Sequence, residues 1–301
     1  MEQEYYYHMF ANGDDAKNFI ITEDEFKGAF NRFAVCQHIT GVRVFSASVE
    51  DSHPHALIYG TYSLCRRFAR LYETISIHCI ARRRGTTDGV RLHCELYEIT
   101  DRQYLMNVAA YTIVQATKDG KAVMPYDYLY GTGALYFRSK HSVLPWLIGD
   151  DGKIYHPVKF SSLTAREKMS LCRTTLTTMP DDWLVSNGFI LPTNYVDIRG
   201  FENIFMTHNC FRAFLSSGKA KDDVIFEKMS ESRGVVVEDL EARRICEDTC
   251  LRLFGYKTTR QLSINQRMTL ARELRRLYHL SFRQLSFLTK IPEDELRKYV
   301  R

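Results

Sequence analysis

The order of strand and helix patterns in the first 117 residues constrains the fold more than any other feature of the chain. Aromatic and β-branched runs predict strands at 5–10, 42–49, 53–59 and 90–99. Amphipathic segments predict helices that begin near Thr22, Tyr62 and Asp101. This order is typical of an antiparallel sheet with helices packed on one face. We therefore expect an α+β domain over residues 1–140.

The rest of the chain divides into a connecting region and a short tail. Residues 141–255 contain helical patterns at 165–178 and 242–254, with a loop-rich stretch between them, and form a mixed, mainly helical region. The sequence does not indicate a function for this region. Short helical segments follow one another from Ser263 to the end, two of them joined by a tight turn. They predict a helix-turn-helix-like unit at 256–301, so the C-terminal part is expected to be mostly helical.

Positive charge is concentrated in the tail. The chain has 301 residues and a net charge of +5. From Leu251 to Arg301 there are 12 Lys or Arg against 4 Asp or Glu, a local net charge of +8 that leaves −3 for the remainder. Such a basic segment suits an anionic partner, whereas a merely solvated helical face accounts for the charge alone equally well.

Composition excludes several classes of protein. No apolar run approaches the roughly 20 residues that span a bilayer, so no membrane partner is expected. The N-terminus lacks the basic start and apolar stretch of a signal peptide. The 8 cysteines are scattered without a Cys-x-x-Cys pair, which indicates reduced and mostly buried thiols. We therefore expect a cytoplasmic protein.

His53 and His55 form the first candidate site. Alternate residues of a strand point to the same face, so the two imidazoles emerge side by side. Two neutral imidazoles can share one divalent cation, but a third ligand has to come from another segment. A surface His-Pro-His pair without a metal is the alternative interpretation.

The helix that begins near Asp101 carries Tyr111 and, four residues later, Gln115. Positions i and i+4 lie on one face of a helix. If this face docks against the histidine strand, Gln115 supplies an oxygen ligand and Tyr111 places a hydroxyl beside the metal. A tyrosine oxygen in that position can attack a phosphodiester and form a covalent intermediate. Simple packing is the alternative for one tyrosine among 18.

Four further sequence features lie within residues 5–137: Tyr7-His8-Met9, the stretch from Ser48 to Ile58 with its two histidines, the stretch from Tyr104 to Tyr111, and Pro125-Tyr126-Asp127-Tyr128. Together, in this order, they resemble the motifs of the REP-associated tyrosine transposases of the single-tyrosine HUH superfamily. The chain departs from the family pattern in three places. Ser52 replaces an asparagine, Pro54 replaces a large aliphatic residue, and Gln115-Ala116 follows the tyrosine in place of Asn-Pro.

The resemblance implies a ferredoxin-like HUH domain that cleaves single-stranded or hairpin DNA and transfers the strand through a 5′-phosphotyrosine. Tyr111 is then the nucleophile, and His53, His55 and Gln115 bind Mg²⁺ or Mn²⁺. The resemblance also implies that the protein associates with the nucleoid and acts as a monomer or a homodimer. The alternative is a catalytically weak or inactive DNA-binding regulator derived from a transposase, which the three departures favour.

Basic residues in two regions are the candidates for contacts with DNA. A cluster of arginines in the helix predicted to begin near Tyr62, and directly after it, can contact the backbone of single-stranded DNA. Basic residues of the C-terminal helices can contact duplex DNA. Taken singly, each of these residues is also explained as a solvated surface group. They are Arg66, Arg67, Arg70, Arg82, Arg83, Arg84, Arg283, Arg297 and Lys298.

Overall fold

The computed structural model describes residues 2–11, 16, 19–50, 53–118, 124–139, 142–174, 178–216, 239–278, 280 and 282–300, without the side chains of 115–118, 216, 239–241 and 276–277. The chain divides into two compact units, Met1–Lys221 and Asp222–Arg301. The functional division at residues 140 and 255 stays a prediction.

The first unit begins with the predicted alternation of strands and helices. Its four long strands are β1 (Glu4–Ala11), β2 (Arg43–Val49), β3 (Pro54–Thr61) and β4 (Cys94–Ile99). Its first three helices are α1 (Glu23–Thr40), α2 (Tyr62–Arg84) and α3 (Arg102–Lys118). The protein is therefore α+β, as the sequence predicted.

The four strands form one antiparallel sheet in the order β2-β3-β1-β4. β1 lies in the interior of the sheet, where His8 is opposite Leu57 of β3 and Phe10 is opposite His55. β2 pairs with the other side of β3 and places Ser48 opposite His55. Residues that are opposite each other point to the same face, so this register brings His8, His55 and Ser48 to one face of the sheet.

The expectation that all helices pack on one face was wrong. Ser46 points to the same face as Leu57, and its Oγ lies 2.6 Å from Thr112 Oγ1, so α3 covers this face. α2 covers the opposite face, where a Cβ placed on Gly60 would meet Cys65 Sγ at 3.4 Å. The reason lies in β3, which is buried on both faces over residues 54–58 and so needs a layer on each side.

Local sequence signals explain where the first helix begins and ends. Thr22 and Glu25 form a capping box at the start of α1, with each side chain accepting a hydrogen bond from the other residue's backbone N–H, and the helix begins where the sequence predicts it. α1 ends at Gly41, whose left-handed backbone (φ 71°) caps the last turn. The helix packs on α2, where Tyr72 Oη donates a hydrogen bond of 3.0 Å to the carbonyl of Ala29.

The segment after α3 closes the outer edge of β2. The N–H of Val49 donates to the carbonyl of Tyr130, and the N–H of Thr132 donates to the carbonyl of Ala47. Tyr128 adds a hydrogen bond of 2.5 Å from its hydroxyl to the carbonyl of Val49. These bonds fix the end of β2 at the point where the candidate site begins.

The remainder of the first unit is built from short elements: β5 (Val158–Lys159), α4 (Ala165–Cys172), β6 (Leu184–Ser186), β7 (Phe189–Ile190), α5 (Ile198–Phe205) and α6 (His208–Ser216). Buried Asn31 attaches part of this region to α1. Its amide donates to the carbonyls of Leu171 and Gly188, and its oxygen accepts from the N–H of Ile190.

The second unit is helical in its described part. It contains α7 (Asp239–Phe254), α8 (Ile264–Tyr278), α9 (Phe282–Thr289) and α10 (Glu293–Tyr299). Leu270 and Leu274 lie in its apolar core, together with Cys246 and Cys250. A three-residue turn, residues 290–292, joins α9 to α10.

All 8 cysteines are free thiols, and all except Cys210 are buried, which agrees with the prediction of reduced and mostly buried thiols. No helix in the described part of the chain combines the length and the apolar character needed to cross a membrane.

Candidate metal centre and adjacent tyrosine

The turn between β2 and β3 brings three potential metal ligands together. The N–H of Glu50 donates to the carbonyl of His53, which closes the turn. One donor atom each from Glu50, His53 and His55 lies within 4.8 Å of the others. Glu50 and His55 are each 1% exposed, whereas His53 is partly exposed. A cation bound here would therefore be reached from the His53 side.

The donor set fits a divalent transition metal. Two imidazole nitrogens and one carboxylate oxygen suit Mn²⁺ or Zn²⁺ better than Mg²⁺, which prefers an all-oxygen shell. The three residues can thus hold a cation, and each contributes one donor atom.

His8 is a further imidazole behind this cluster. Its Nε2 lies 3.2 Å from Nδ1 of His55, and the two rings are nearly parallel, with centroids 5.4 Å apart. Burial lowers the pKa of His8 to about 3, and the charge of His53 contributes in the same direction. His8 is therefore neutral at physiological pH.

Tyr111 of α3 packs directly against the histidines. Its ring is edge-on to His55 at 5.1 Å between centroids and to His8 at 6.0 Å. The hydrogen bond between Ser46 and Thr112, the next residue, fixes α3 to β2 at this level. Tyr111 is 1% exposed, so the structure brings it to the candidate metal centre but buries it there.

The remaining predicted ligand, Gln115, lies in α3, one turn after Tyr111. Its side chain is outside the part of the chain whose side chains the structure describes, so its role as a ligand stays a prediction.

Comparison with known proteins yields one similar structure. It is a solved structure of the REP-associated tyrosine transposase bound to a REP hairpin, with 10% sequence identity and a TM-score of 0.32, and it covers 44% of this chain and 79% of that chain. No family model matches the chain, and no curated protein matches it. A TM-score of 0.32 establishes neither a shared fold nor a shared function.

The predicted DNA-binding arginines of the first unit lie on α2. This helix covers the face of the sheet opposite to His55. Arg67 and Arg70 are exposed, whereas Arg66 is half-buried. A DNA strand that contacts both α2 and the histidines must therefore pass around an edge of the sheet.

At the end of α2, Arg82 is exposed, and the next two arginines are engaged in ion pairs with α1. Arg83 pairs with Asp24, and Arg84 donates to Glu25 at 2.7 and 2.9 Å. These pairs join the two helices, so Arg83 and Arg84 have a structural role beside any contact with DNA.

The predicted basic residues of the second unit are mostly at its surface. Arg283 and Lys298 are exposed, and Arg297 is half-buried, 3.6 Å from Glu293 within α10. The first turn of α10 carries three acidic residues. In a helix-turn-helix protein the first turn of the recognition helix approaches the bases, and acidic residues there oppose DNA phosphates. Phosphate contacts from this unit would therefore come from outside that turn.

The sequence-based prediction did not include Glu50 or His8 among the site residues. Glu50 lies between the predicted strands 42–49 and 53–59, and its spacing of three residues before His53 is the signal that could have indicated it as a ligand. The position of His8 depends on the register of β1 against β3, which one sequence does not supply.

Proposed function

We propose that this protein is a metal-dependent single-strand DNA nuclease and transposase that acts through a covalent tyrosine intermediate. The observation that carries the proposal is the contact of Tyr111 with His55, a member of the only Glu-His-His cluster with metal-ligand spacing in the described part of the chain. The β-α-β-β-α-β order with strand order 2-3-1-4 supports the ferredoxin-like arrangement that the sequence resemblance implies.

His53, His55 and Glu50 would hold the metal, and Gln115 is retained as a further oxygen ligand. Because two of the donors are imidazoles, we favour Mn²⁺ over Mg²⁺ as the working metal. When bound, the metal polarises the phosphate and orients it for in-line displacement.

The proposed reaction exchanges one phosphodiester bond for another. The Oη atom of Tyr111 bonds to phosphorus, the bond to the 3′ oxygen breaks, and the departing 3′ oxygen takes up the proton that the tyrosine loses. The product is a 5′-phosphotyrosine, which keeps the energy of the original bond. Attack by the 3′-hydroxyl of another strand then releases Tyr111 and completes strand transfer.

The basic residues of both units would supply affinity for DNA, and the protein would then work at the nucleoid, as a monomer or a homodimer. Arg67, Arg70 and Arg82 would contact a single-stranded or hairpin backbone, and Arg283 and Lys298 would contact duplex phosphates. This role predicts that affinity falls steeply with salt concentration. Insensitivity of binding between 50 and 200 mM salt, as an approximate range, would contradict it.

The burial of Tyr111 favours a second candidate function. A nucleophile that is 1% exposed cannot reach a phosphate unless its surroundings open. A DNA-binding regulator without nuclease activity needs no such opening and requires neither metal nor tyrosine for binding. Pro54, which removes a backbone donor from β3, points in the same direction.

Formation of a covalent adduct decides between the two functions. Purified protein is mixed with short single-stranded hairpin DNAs and Mn²⁺, and a denaturation-resistant adduct is sought by gel shift. We expect the adduct in the wild type, its loss with EDTA and in Tyr111→Phe, and its retention in Tyr104→Phe. Tyr104 is a matched control because it is a buried tyrosine of the same helix. Clear DNA binding without any adduct would establish the regulator instead.

The third ligand is tested separately by metal titration. Glu50→Gln removes the charge and keeps the shape, while Gln115→Ala removes the amide. If Glu50 is a ligand, Glu50→Gln weakens Mn²⁺ binding measured by calorimetry. If Gln115 were required in its place, only Gln115→Ala would weaken it.

A further inference from the structure

We infer that His8 is a positioning residue that holds His55 in the ring orientation and tautomer required for metal binding. The inference rests on the metal centre proposed above. His8 comes from β1, a strand that contributes no ligand, and its Nε2 lies 3.2 Å from Nδ1 of His55. Both side chains are buried, so this hydrogen bond is shielded from competition by water.

The direction of this hydrogen bond follows from the chemistry of a metal-bound imidazole. An imidazole that ligates through one nitrogen carries its proton on the other nitrogen. With Nδ1 facing His8, His55 ligates through Nε2, and its Nδ1–H then donates to Nε2 of His8. Metal ligands of this type commonly donate to a carboxylate or a carbonyl, which fixes the tautomer and raises the basicity of the ligand. In this protein a neutral imidazole accepts the bond.

The ring of His8 is itself held in place on two sides. Phe10 of the same strand lies 4.9 Å from it between centroids, and Tyr111 meets it edge-on at 6.0 Å. His8 therefore contacts both a proposed ligand and the proposed nucleophile. A change in its position would be transmitted to His55 and Tyr111 together.

The polarity of His8 has a cost that an apolar residue would avoid. Its Nδ1 is buried and has no hydrogen-bond partner among the residues that the structure describes. Leucine would fill much of the same space without a buried polar atom. A histidine in this position is therefore better explained by its hydrogen bond to His55 than by packing.

Mn²⁺ titration of the full chain by calorimetry tests the inference with three variants. We expect His8→Leu to weaken binding by about 10- to 100-fold, and His8→Gln to stay within about threefold of wild type, because its carbonyl oxygen can accept the hydrogen bond from His55. Met9→Ala is the matched control: it alters packing of the same strand on the opposite face of the sheet, keeps the hydrogen bond, and should bind Mn²⁺ like the wild type. Urea unfolding shows which variants are folded.

A spectroscopic measurement separates positioning from general stability. In the metal-free protein, the imidazole ¹⁵N shifts of His55 should report a proton on Nδ1. The same tautomer is expected in His8→Gln, and a changed or mixed tautomer is expected in His8→Leu. Loss of folding alone would not produce this pattern, because the glutamine variant restores it.

The outcomes separate this inference from the proposed nuclease activity. Equal Mn²⁺ affinity in His8→Leu and wild type, or equal weakening in His8→Gln and His8→Leu, would overturn the role of His8 even if a DNA adduct forms. Absence of Mn²⁺ and Zn²⁺ binding in the wild type would overturn both the metal centre and the role of His8. Metal binding that depends on His8, without any DNA adduct, would support the inference and reject the nuclease.

Discussion

The two faces of the four-stranded sheet are built from the same strands but serve different purposes. On the face covered by α2, Met9 and Ile58 are buried apolar side chains. On the face covered by α3, the neighbouring positions include His8 and His55, which are just as deeply buried. Apolar burial stabilises the fold, whereas buried polar groups cost free energy unless they are paired or bind a ligand. The comparison indicates that one face supplies stability and the other supplies the site.

Charged groups show the same contrast. In the helix layer on the α2 face, carboxylates and arginines pair with each other, as in Glu25 with Arg84 and Asp24 with Arg173. At the end of β2, Glu50 lies beside two imidazoles, with donor atoms of the three residues close together. The ion pairs join structural elements, and the convergent donor atoms create a place for a cation.

The largest expected loss of stability comes from the apolar face. Ile58→Ala leaves a cavity between β3 and α2, so the free energy of unfolding should fall by about 2–5 kcal/mol. The metal-free protein is measured by urea unfolding, and its Mn²⁺ affinity by calorimetry under native conditions. Affinity should stay at the wild-type value. A parallel loss of metal affinity in a folded Ile58→Ala protein would show that the two faces are not separable.

The converse change is made at the opposite face of the sheet, which α3 covers. His55→Ala removes a proposed ligand, so Mn²⁺ affinity should fall by more than about 100-fold, equivalent to about 2.7 kcal/mol. The metal-free protein should lose less stability than Ile58→Ala, because the imidazole contributes less apolar burial than isoleucine. Retention of Mn²⁺ affinity in His55→Ala would remove the metal centre from this face.

Much of this contrast was visible in the sequence. The strands and the first helices were predicted because their periodicity and their first residues are local signals, as with Thr22 at the start of α1. His53 and His55 were predicted to lie together because alternate residues of an extended segment point the same way; β3 begins only at Pro54, but the two rings lie 4.7 Å apart between centroids. Tyr111 was correctly assigned to the helix that docks on them, although its function is still untested.

The sequence did not predict the features of the fold and of the site that depend on contacts between distant segments. The one-face prediction failed because the pattern of β3 shows no alternation, and burial on two sides was not inferred from it. His8 and Glu50 reach the site through strand register and a tight turn, and neither is encoded in the spacing of a motif. Register depends on contacts between distant segments, so a single sequence indicates which strands form more readily than which residues meet.

A pH-dependent effect is expected in the helix layer. Burial alone would raise the pKa of Glu25, but hydrogen bonds from Arg84 and from the backbone of Ile21 and Thr22 outweigh it, and the net pKa is lowered. Since the folded pKa lies below the unfolded value of about 4.3, the stabilisation is complete above that value and is lost as pH falls through the folded pKa. Glu25→Gln should cost about 2 kcal/mol at neutral pH.

Urea unfolding of wild type and Glu25→Gln between neutral and acidic pH measures this effect. The difference between the two proteins should be largest at neutral pH and should shrink toward zero in acid, with Mn²⁺ affinity unchanged at neutral pH. A difference that does not vary with pH would contradict the lowered pKa of Glu25 and would mean that the lost stability does not depend on the charge of its carboxylate.

The smallest effect is expected from two variants that each remove a hydrogen bond at a different end of β2. Tyr128→Phe removes the hydrogen bond to the carbonyl of Val49, next to Glu50, and should cost about 1 kcal/mol of stability. Tyr136→Phe is the matched control, because its hydroxyl donates at 2.5 Å to the carbonyl of Phe45, nearer the start of the same strand. Both variants should lose similar stability in urea unfolding, but only Tyr128→Phe should weaken Mn²⁺ binding, by less than about tenfold. Equal Mn²⁺ affinity in the two variants would show that the end of β2 does not position Glu50, and the site would then depend on the β2–β3 turn alone.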